Sequence, residues 1–217
     1  MEINKYIDYI QAPSDSFEEY LRKAKELNVR AIFANQFNLQ FAREYLKDTD
    51  IIIAASCDFP FGKATLPGNL ADVKALCEMG FKEIDYVLNQ YAVENRNYDY
   101  IAKQMTEIAR VCRSYGVTDK CIVETGKLDG DKDALIKICQ IANEAKPTFL
   151  KTTTGRSVRG VSLEDIQVMR ANLDKDIKIK GAGGIKTYAF AKELIDAGAN
   201  ALGASAAIDI VEQSKNA

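Results

Sequence analysis

The feature that most constrains this chain is a repeated unit in which a helical segment closes on Gly or Asn and a short apolar stretch follows at once. It is clearest at Glu26-Leu-Asn28-Val-Arg-Ala-Ile-Phe33, Glu78-Met-Gly80-Phe-Lys-Glu-Ile-Asp85, Ser114-Tyr-Gly116-Val-Thr-Asp-Lys-Cys121 and Asp196-Ala-Gly198-Ala-Asn-Ala-Leu-Gly203. Gly and Asn suit the residue after a helix because that position takes a left-handed backbone. Strands that alternate with helices indicate a parallel β/α architecture. Candidate strands fall at Tyr6–Ile10, Arg30–Ala34, Asp50–Ala55, Glu83–Leu88, Lys120–Glu124, Thr148–Thr152, Ile177–Lys180 and Ala199–Gly203. Eight strands in this order predict an α/β fold, a (β/α)8 TIM barrel, with a doubly wound open sheet as the alternative.

Local signals agree. Ile51-Ile-Ile-Ala-Ala55 is apolar throughout, as a strand covered on both faces should be. Ser16-Phe-Glu-Glu19 and Ser162-Leu-Glu-Asp165 read as capping boxes at helix starts. Ile101, Met105, Ile108 and Val111/Cys112 recur at helical spacing across Tyr98–Ser114. With 217 residues, 47% hydrophobic and no Pro- or Ser-rich linker, residues 1–217 are expected to form one domain.

A formal charge of -2 gives no general attraction to nucleic acid or to an anionic membrane. No apolar run approaches the length of a membrane span, and the N-terminus lacks the layout of a signal peptide, so a cytoplasmic protein is expected. Five cysteines, with no C-x-x-C pair, are expected to be reduced, buried thiols. The chain contains no histidine. That removes imidazole bases, Ser-His and Cys-His nucleophile pairs and His-ligated zinc, so proton transfer must run on Lys, Asp, Glu, Tyr, Cys or water.

Chemistry in such a barrel sits at the C-terminal strand ends. Four charged residues lie there in apolar surroundings: Asp8 in strand 1, Asp85 in strand 4, Lys151 at the end of strand 6 and Lys180 at the end of strand 7. Buried charges must be paired, so the four are expected to face one another. On strands about 4.8 Å apart, Lys151 and Lys180 would repel as ammonium ions. That repulsion, helped by partial desolvation, would supply a neutral amine for carbinolamine formation. Asp85 would shuttle protons through water, and Asp8 would complete a relay with Lys180. A second constellation is glycine-rich: Gly155-Arg156 after strand 6, Gly181-Ala-Gly183-Gly184-Ile-Lys186 after strand 7 and Gly203-Ala-Ser205-Ala206 after strand 8. Small loops, helix N-termini and nearby cations predict a phosphate site.

At Lys151-Thr-Thr-Thr-Gly155 and Lys180-Gly-Ala-Gly-Gly184 the sequence resembles the deoxyribose-phosphate aldolase family, whose Schiff-base lysine and second lysine lie in such segments. The likeness runs nearly end to end through Ile7-Asp8-Tyr9, Asn35, Phe59-Pro-Phe-Gly62, Glu83-Ile-Asp85-Tyr-Val-Leu-Asn89, Glu124-Thr-Gly126 and Gly203-Ala-Ser205. The resemblance implies reversible cleavage of 2-deoxy-D-ribose 5-phosphate to acetaldehyde and glyceraldehyde 3-phosphate, with no metal and no cofactor. Lys151 would form the imine, Lys180 would tune it, and Asp85 with water would move the proton at C2. Thr154, Gly155, Arg156, Gly183, Gly184, Lys186, Gly203 and Ser205 are the implied substrate-binding residues. The sequence departs from the family at Phe33, where a cysteine is common, at Ile10-Gln11 in place of Thr-Leu, and at Ala206 in place of a second serine. Ala64–Gly68 has the look of an insertion, and Tyr91–Tyr100 is aromatic-rich; both leave room for a different aldehyde pocket. The alternatives are a related imine-forming aldolase acting on another phosphorylated sugar and a non-catalytic sugar-phosphate-binding barrel. A homodimer is expected from the prevalence of two-fold oligomers.

Overall fold

The computed structural model describes residues 1–128 and 130–215. Its strands are β1 (Ile7–Tyr9), β2 (Ala31–Phe33), β3 (Ile52–Cys57), β4 (Glu83–Val87), β5 (Thr118–Ile122), β6 (Phe149–Lys151), β7 (Lys178–Ala182) and β8 (Ala201–Ala204), all parallel in sequence order. The register pairs Ile7, Asp8 and Tyr9 of β1 with Leu202, Gly203 and Ala204 of β8. That pairing closes the barrel and overturns the open-sheet alternative. Nine helices lie between and after the described strands: α1 (Phe17–Leu27), α2 (Leu39–Tyr45), α3 (Leu66–Glu78), α4 (Gln90–Glu94), α5 (Tyr98–Ser114), α6 (Lys132–Ala145), α7 (Leu163–Asn172), α8 (Tyr188–Asp196) and α9 (Ala207–Ser214).

The caps read from sequence do what their chemistry requires. Ser162 accepts from the Asp165 N–H while the Asp165 carboxylate reaches back to the Ser162 N–H, a full capping box. Ser16 accepts from the Glu19 N–H in the same way. Asn28 ends α1 with φ 50°, and Gly80, Gly116 and Gly198 follow α3, α5 and α8 with φ of 85°, 66° and 115°. Ala64–Gly68 forms a helix start: Thr65 caps α3 by accepting from the Gly68 N–H, and Pro67 sits in the first turn, where no N–H is needed.

Two strand boundaries differ from the sequence reading. β5 begins at Thr118 and stops at Ile122, which leaves Val123 and Glu124 in the following loop. β7 continues to Ala182, so Lys180 is central in its strand and not at the end of it. Gly181 looks like a turn residue in isolation, yet it pairs with Leu202, and Ala182 pairs with Gly203. Tertiary pairing overrides glycine's weak strand propensity here.

Successive side chains on a strand point to opposite faces. The cross-strand row Tyr86, Cys121, Leu150 and Ile179 faces the helices and is fully buried. The alternate row sets Asp85 beside Lys120 and Lys151 beside Lys180, inside the barrel. The five cysteines are all buried as free thiols. Their environment is apolar, and burial pushes the Cys57 thiol up to about 12.

Two glycines separate backbone strain from packing. At Gly116 an added Cβ would meet nothing within 4 Å. At Gly198 it would lie 2.8 Å from Cγ and Cδ of Arg170, whose guanidinium is tied to the carbonyls of Leu173, Asp174 and Ile177 and cannot swing aside. Gly116→Ala is expected to cost about 1–2 kcal/mol, the penalty of a left-handed alanine. Gly198→Ala should add about 1–3 kcal/mol of overpacking to that. Urea unfolding of both variants checks the order, and equal midpoints would refute it.

Candidate active site

Lys151 closes β6, and its amine donates to Asp85 Oδ2 at 2.7 Å. Lys180, its neighbour in the β6–β7 register, donates to the same oxygen at 2.8 Å. Lys180 also pairs with Asp8 at 2.6 Å, the contact expected of a relay. The other Asp85 oxygen accepts from Lys120 at 3.0 Å. All four predicted charged residues are therefore brought together, each 3% exposed or less.

The network is larger than the sequence suggested. Lys120 also meets Glu83 at 2.5 Å, and Arg30 bridges Asp8 at 2.5 Å and Glu83 at 2.7 Å. Lys120 was missed because strand 5 was read as starting at it, which placed it at the barrel entrance. The signal was present: in β5 Asp119 turns outward to bind Thr148, so Lys120 must turn inward.

Counting charges shows which group gives way. Arg30, Lys120, Lys151 and Lys180 bring four positive charges against three from Asp8, Glu83 and Asp85. Lys120, Lys180 and Arg30 each contact at least two carboxylates, whereas among the described residues Lys151 contacts only that of Asp85, and shares its oxygen. Burial, opposed by Asp85 and assisted by Lys180, lowers the Lys151 amine from 10.5 to about 8. The sequence reading gave Lys180 repulsion first place; burial proves the larger cause. For Lys120, burial also pulls the ammonium down, but Asp85, Asp8 and Glu83 overcome it and raise it. Burial pushes the Asp85 carboxyl up, and Lys120, Lys151 and Lys180 together hold it well below the carboxylate range.

Above this network lies a cavity of about 690 Å³ at the C-terminal end of the barrel. Lys151 lines it; Lys180, Asp85 and Asp8 do not. Every predicted substrate-binding residue lines it too: Thr154, Gly155, Arg156, Gly183, Gly184, Lys186, Gly203 and Ser205. So do Ile10, Gln11 and Phe33, three of the departures in the sequence, while Ala206 and Tyr91–Tyr100 do not. The room expected from that aromatic stretch is not at the cavity.

The three threonines after Lys151 have structural work. Thr152 Oγ1 accepts from the Ala182 N–H, and Thr153 Oγ1 donates to the Ala182 carbonyl at 2.8 Å. Thr154 Oγ1 donates to Glu124 Oε2 at 2.6 Å, so its proton is already engaged although the residue faces the cavity. The Gly155 and Arg156 N–H groups are likewise taken, by Thr153 and Thr154 hydroxyls. The β6 loop therefore offers an anion the Arg156 side chain more than its backbone. Gly155 and Gly183 are glycines for another reason as well: their Cα atoms pack together, and a Cβ on Gly183 would lie 2.7 Å from Gly155 Cα. Gly160, not foreseen, completes this contact; a Cβ there would sit 2.2 Å from the Gly183 carbonyl oxygen.

On the other side, Gly183, Gly184 and Ser205 have no acceptor for their N–H groups among the described residues. Helix α9 starts just beyond Ser205 with no side chain capping its first turn. The exposed cations Arg156 and Lys186 stand at the same rim. Free N–H groups, an uncapped helix start and two cations form a site for a dianion. An amine that is partly neutral near pH 8 lies within the same cavity, which is the arrangement imine chemistry on an anionic carbonyl compound requires.

No protein-family model matches the chain. Curated relatives do. The deoxyribose-phosphate aldolase of Caldanaerobacter subterraneus subsp. tengcongensis is 34% identical over 99% of this chain and 94% of its own length. That of Mycoplasmopsis pulmonis is 34% identical over 99% of this chain and 98% of its own. Among solved structures, an aldolase designated QR15 superimposes with a TM-score of 0.87 at 29% identity, over 99% of this chain and 96% of that one. The deoxyribose phosphate aldolase of Aeropyrum pernix, described as a unique tetramer, gives a TM-score of 0.83 at 22% identity, over 98% of this chain and 91% of that one. The last shares the fold; the first two share a third of their residues from end to end. At that identity and coverage the chain belongs to the deoxyribose-phosphate aldolase family and is an aldolase, a lyase.

Proposed function

We propose that this aldolase reversibly cleaves 2-deoxy-D-ribose 5-phosphate to acetaldehyde and D-glyceraldehyde 3-phosphate through an imine on Lys151. The observation that carries the reading is a buried amine lowered to about 8, set in a cavity whose rim is arranged for a phosphate. The neutral Lys151 nitrogen adds to C1 of the open-chain sugar, and loss of water gives the iminium. The C3 hydroxyl then loses its proton, the C2–C3 bond breaks, and its electron pair moves into the iminium to give an enamine. Glyceraldehyde 3-phosphate departs. Protonation at C2 and hydrolysis release acetaldehyde and restore the amine.

Asp85 is the group placed to move these protons with water, because it touches the Lys151 amine directly. Lys180 serves electrostatically: its charge stands beside Lys151 and disfavours a second ammonium. The phosphate is assigned to Gly183, Gly184, Ser205, Arg156 and Lys186, with Gly155 and Gly203 shaping the cradle. Gly203 also gives Ala182 of β7 room, since a Cβ there would lie 3.0 Å from Ala182 Cβ. One observation favours a second reading, a related imine-forming aldolase with another sugar phosphate: Ile10, Gln11 and Phe33 line the cavity itself. Acetaldehyde, dihydroxyacetone and pyruvate offered as donors separate the two.

Borohydride added with acetaldehyde should leave one reduced two-carbon adduct, located by mass spectrometry at Lys151. An adduct elsewhere, or none, would sink the mechanism, and Lys151→Ala should have no measurable turnover. The pH profile follows from the Lys151 shift. Raising pH through about 8 converts ammonium to amine, so kcat/KM should rise across that interval. A profile still climbing with a midpoint near 10.5, the unperturbed value, would contradict it. Lys180→Ala removes one of the influences that lower Lys151, so activity at pH 7 should fall and the profile should move upward. A uniform loss at every pH would instead mean that Lys180 only supports the fold.

A further inference from the structure

Two rings bracket the reacting amine, and neither has a role in the mechanism above. Lys180 Nζ lies 4.8 Å from the centroid of Phe33, and Lys151 Nζ lies 5.6 Å from that of Phe59. Both amines bond one oxygen of Asp85, so the two rings stand near the same carboxylate. Both rings line the cavity, while Lys180, Asp85 and Asp8, which lie beneath, are fully buried and do not reach it. Phe33 is fixed in place: its N–H donates to the Tyr20 hydroxyl at 2.9 Å, and that hydroxyl donates to the Tyr9 carbonyl at 2.6 Å. Tyr20 thereby ties β2 to β1, which otherwise share the single register pair Asp8–Ala31.

We propose that Phe33 seals the buried lysine–aspartate network from cavity water and, with Phe59, walls an apolar donor pocket that fits a two-carbon aldehyde. The proposal deepens the reading of Lys151 as the imine-forming amine and rests on it. Water admitted beside Lys180 and Asp85 would solvate every charge in the network, and burial is the largest influence on the Lys151 amine. A small side chain at Phe33 would undo that burial without touching a charged group. It would also open space beside the carbon that becomes C2, where acetaldehyde carries a methyl hydrogen and propanal a further methyl group. Ser56 and Ala182, both small, also line the cavity. Phe33 is thus a positioning and specificity residue; it transfers no proton and forms no bond.

The test is a graded series, Phe33→Leu, Phe33→Val and Phe33→Ala, read by borohydride capture at Lys151 as a function of pH, with acetaldehyde and propanal in competition. Thermal unfolding identifies the variants that remain folded. The capture midpoint near 8 in the unaltered protein should hold in Phe33→Leu, which keeps an apolar plug. It should rise through Val to at least about one pH unit higher in Ala as desolvation is relieved. Captured propanal relative to acetaldehyde should rise at least about tenfold in Phe33→Ala, the range for one methylene in an apolar pocket. A folded Val or Ala variant with the unaltered midpoint overturns the seal, and one with the unaltered aldehyde ratio overturns the pocket wall. An unaltered protein that forms no adduct at Lys151 overturns this proposal together with the mechanism, whereas a normal adduct with unresponsive variants overturns this proposal alone.

Discussion

Asp85 holds three ammonium groups on one carboxylate: Lys151 and Lys180 on one oxygen, Lys120 on the other. Without it Lys151 would lose its carboxylate partner, while Lys120 and Lys180 would keep Glu83 and Asp8, and a buried charge lacking a partner costs several kcal/mol. The strands that carry them, β4, β5, β6 and β7, are consecutive, and their register sets Asp85 level with Lys120 and, two residues further along, Lys151 level with Lys180. Closing the barrel through β8 and β1 then supplies Asp8, which completes the pairing of Lys180. Fold and site are thus the same construction seen at two scales.

Burial, helped by one positive charge in excess, is what lowers the Lys151 amine. Here three carboxylates face four cations, and the amine with the fewest partners and a cavity above it is the one that releases its proton. The release has a thermodynamic counterpart. Because the folded value, about 8, lies below the unfolded 10.5, burying Lys151 opposes folding. That cost, about 3 kcal/mol from the shift, is fully present below pH 8 and fades as pH rises toward 10.5. The lowered amine is kept at the expense of stability.

How much of this could be read from the chain varies with the range of the interaction. The barrel was legible because its signals are local: Asn28, Gly80, Gly116 and Gly198 close helices through their own backbone freedom. Lys151 and Lys180 were legible because charge in an apolar strand is conspicuous. Lys120 was not, since its orientation depends on where β5 begins, and that is fixed by pairing of Thr118 with Glu83, thirty-five residues earlier in the chain. Arg30 and Glu83 sit at strand entrances, where charge usually meets solvent, and only the closed barrel turns them inward to each other. Thr154, expected at the substrate, lines the cavity with its hydroxyl proton donated to Glu124, while Thr152 and Thr153 hold the loop against β7. The residues read as the cradle all line one cavity, and those with N–H groups left without an acceptor among the described residues are Gly183, Gly184 and Ser205, not those of the β6 loop.

The account stands or falls on the protonation of one nitrogen. Carbon-13 labelling of lysine Cε, with the Lys151 resonance assigned by its absence in Lys151→Ala, allows that nitrogen to be titrated by NMR in the resting protein. The expected result is a Lys151 resonance that titrates with a midpoint near 8. A Lys151 that titrates near 10.5 with the surface lysines would contradict the account at its centre, whatever the enzyme is found to cleave.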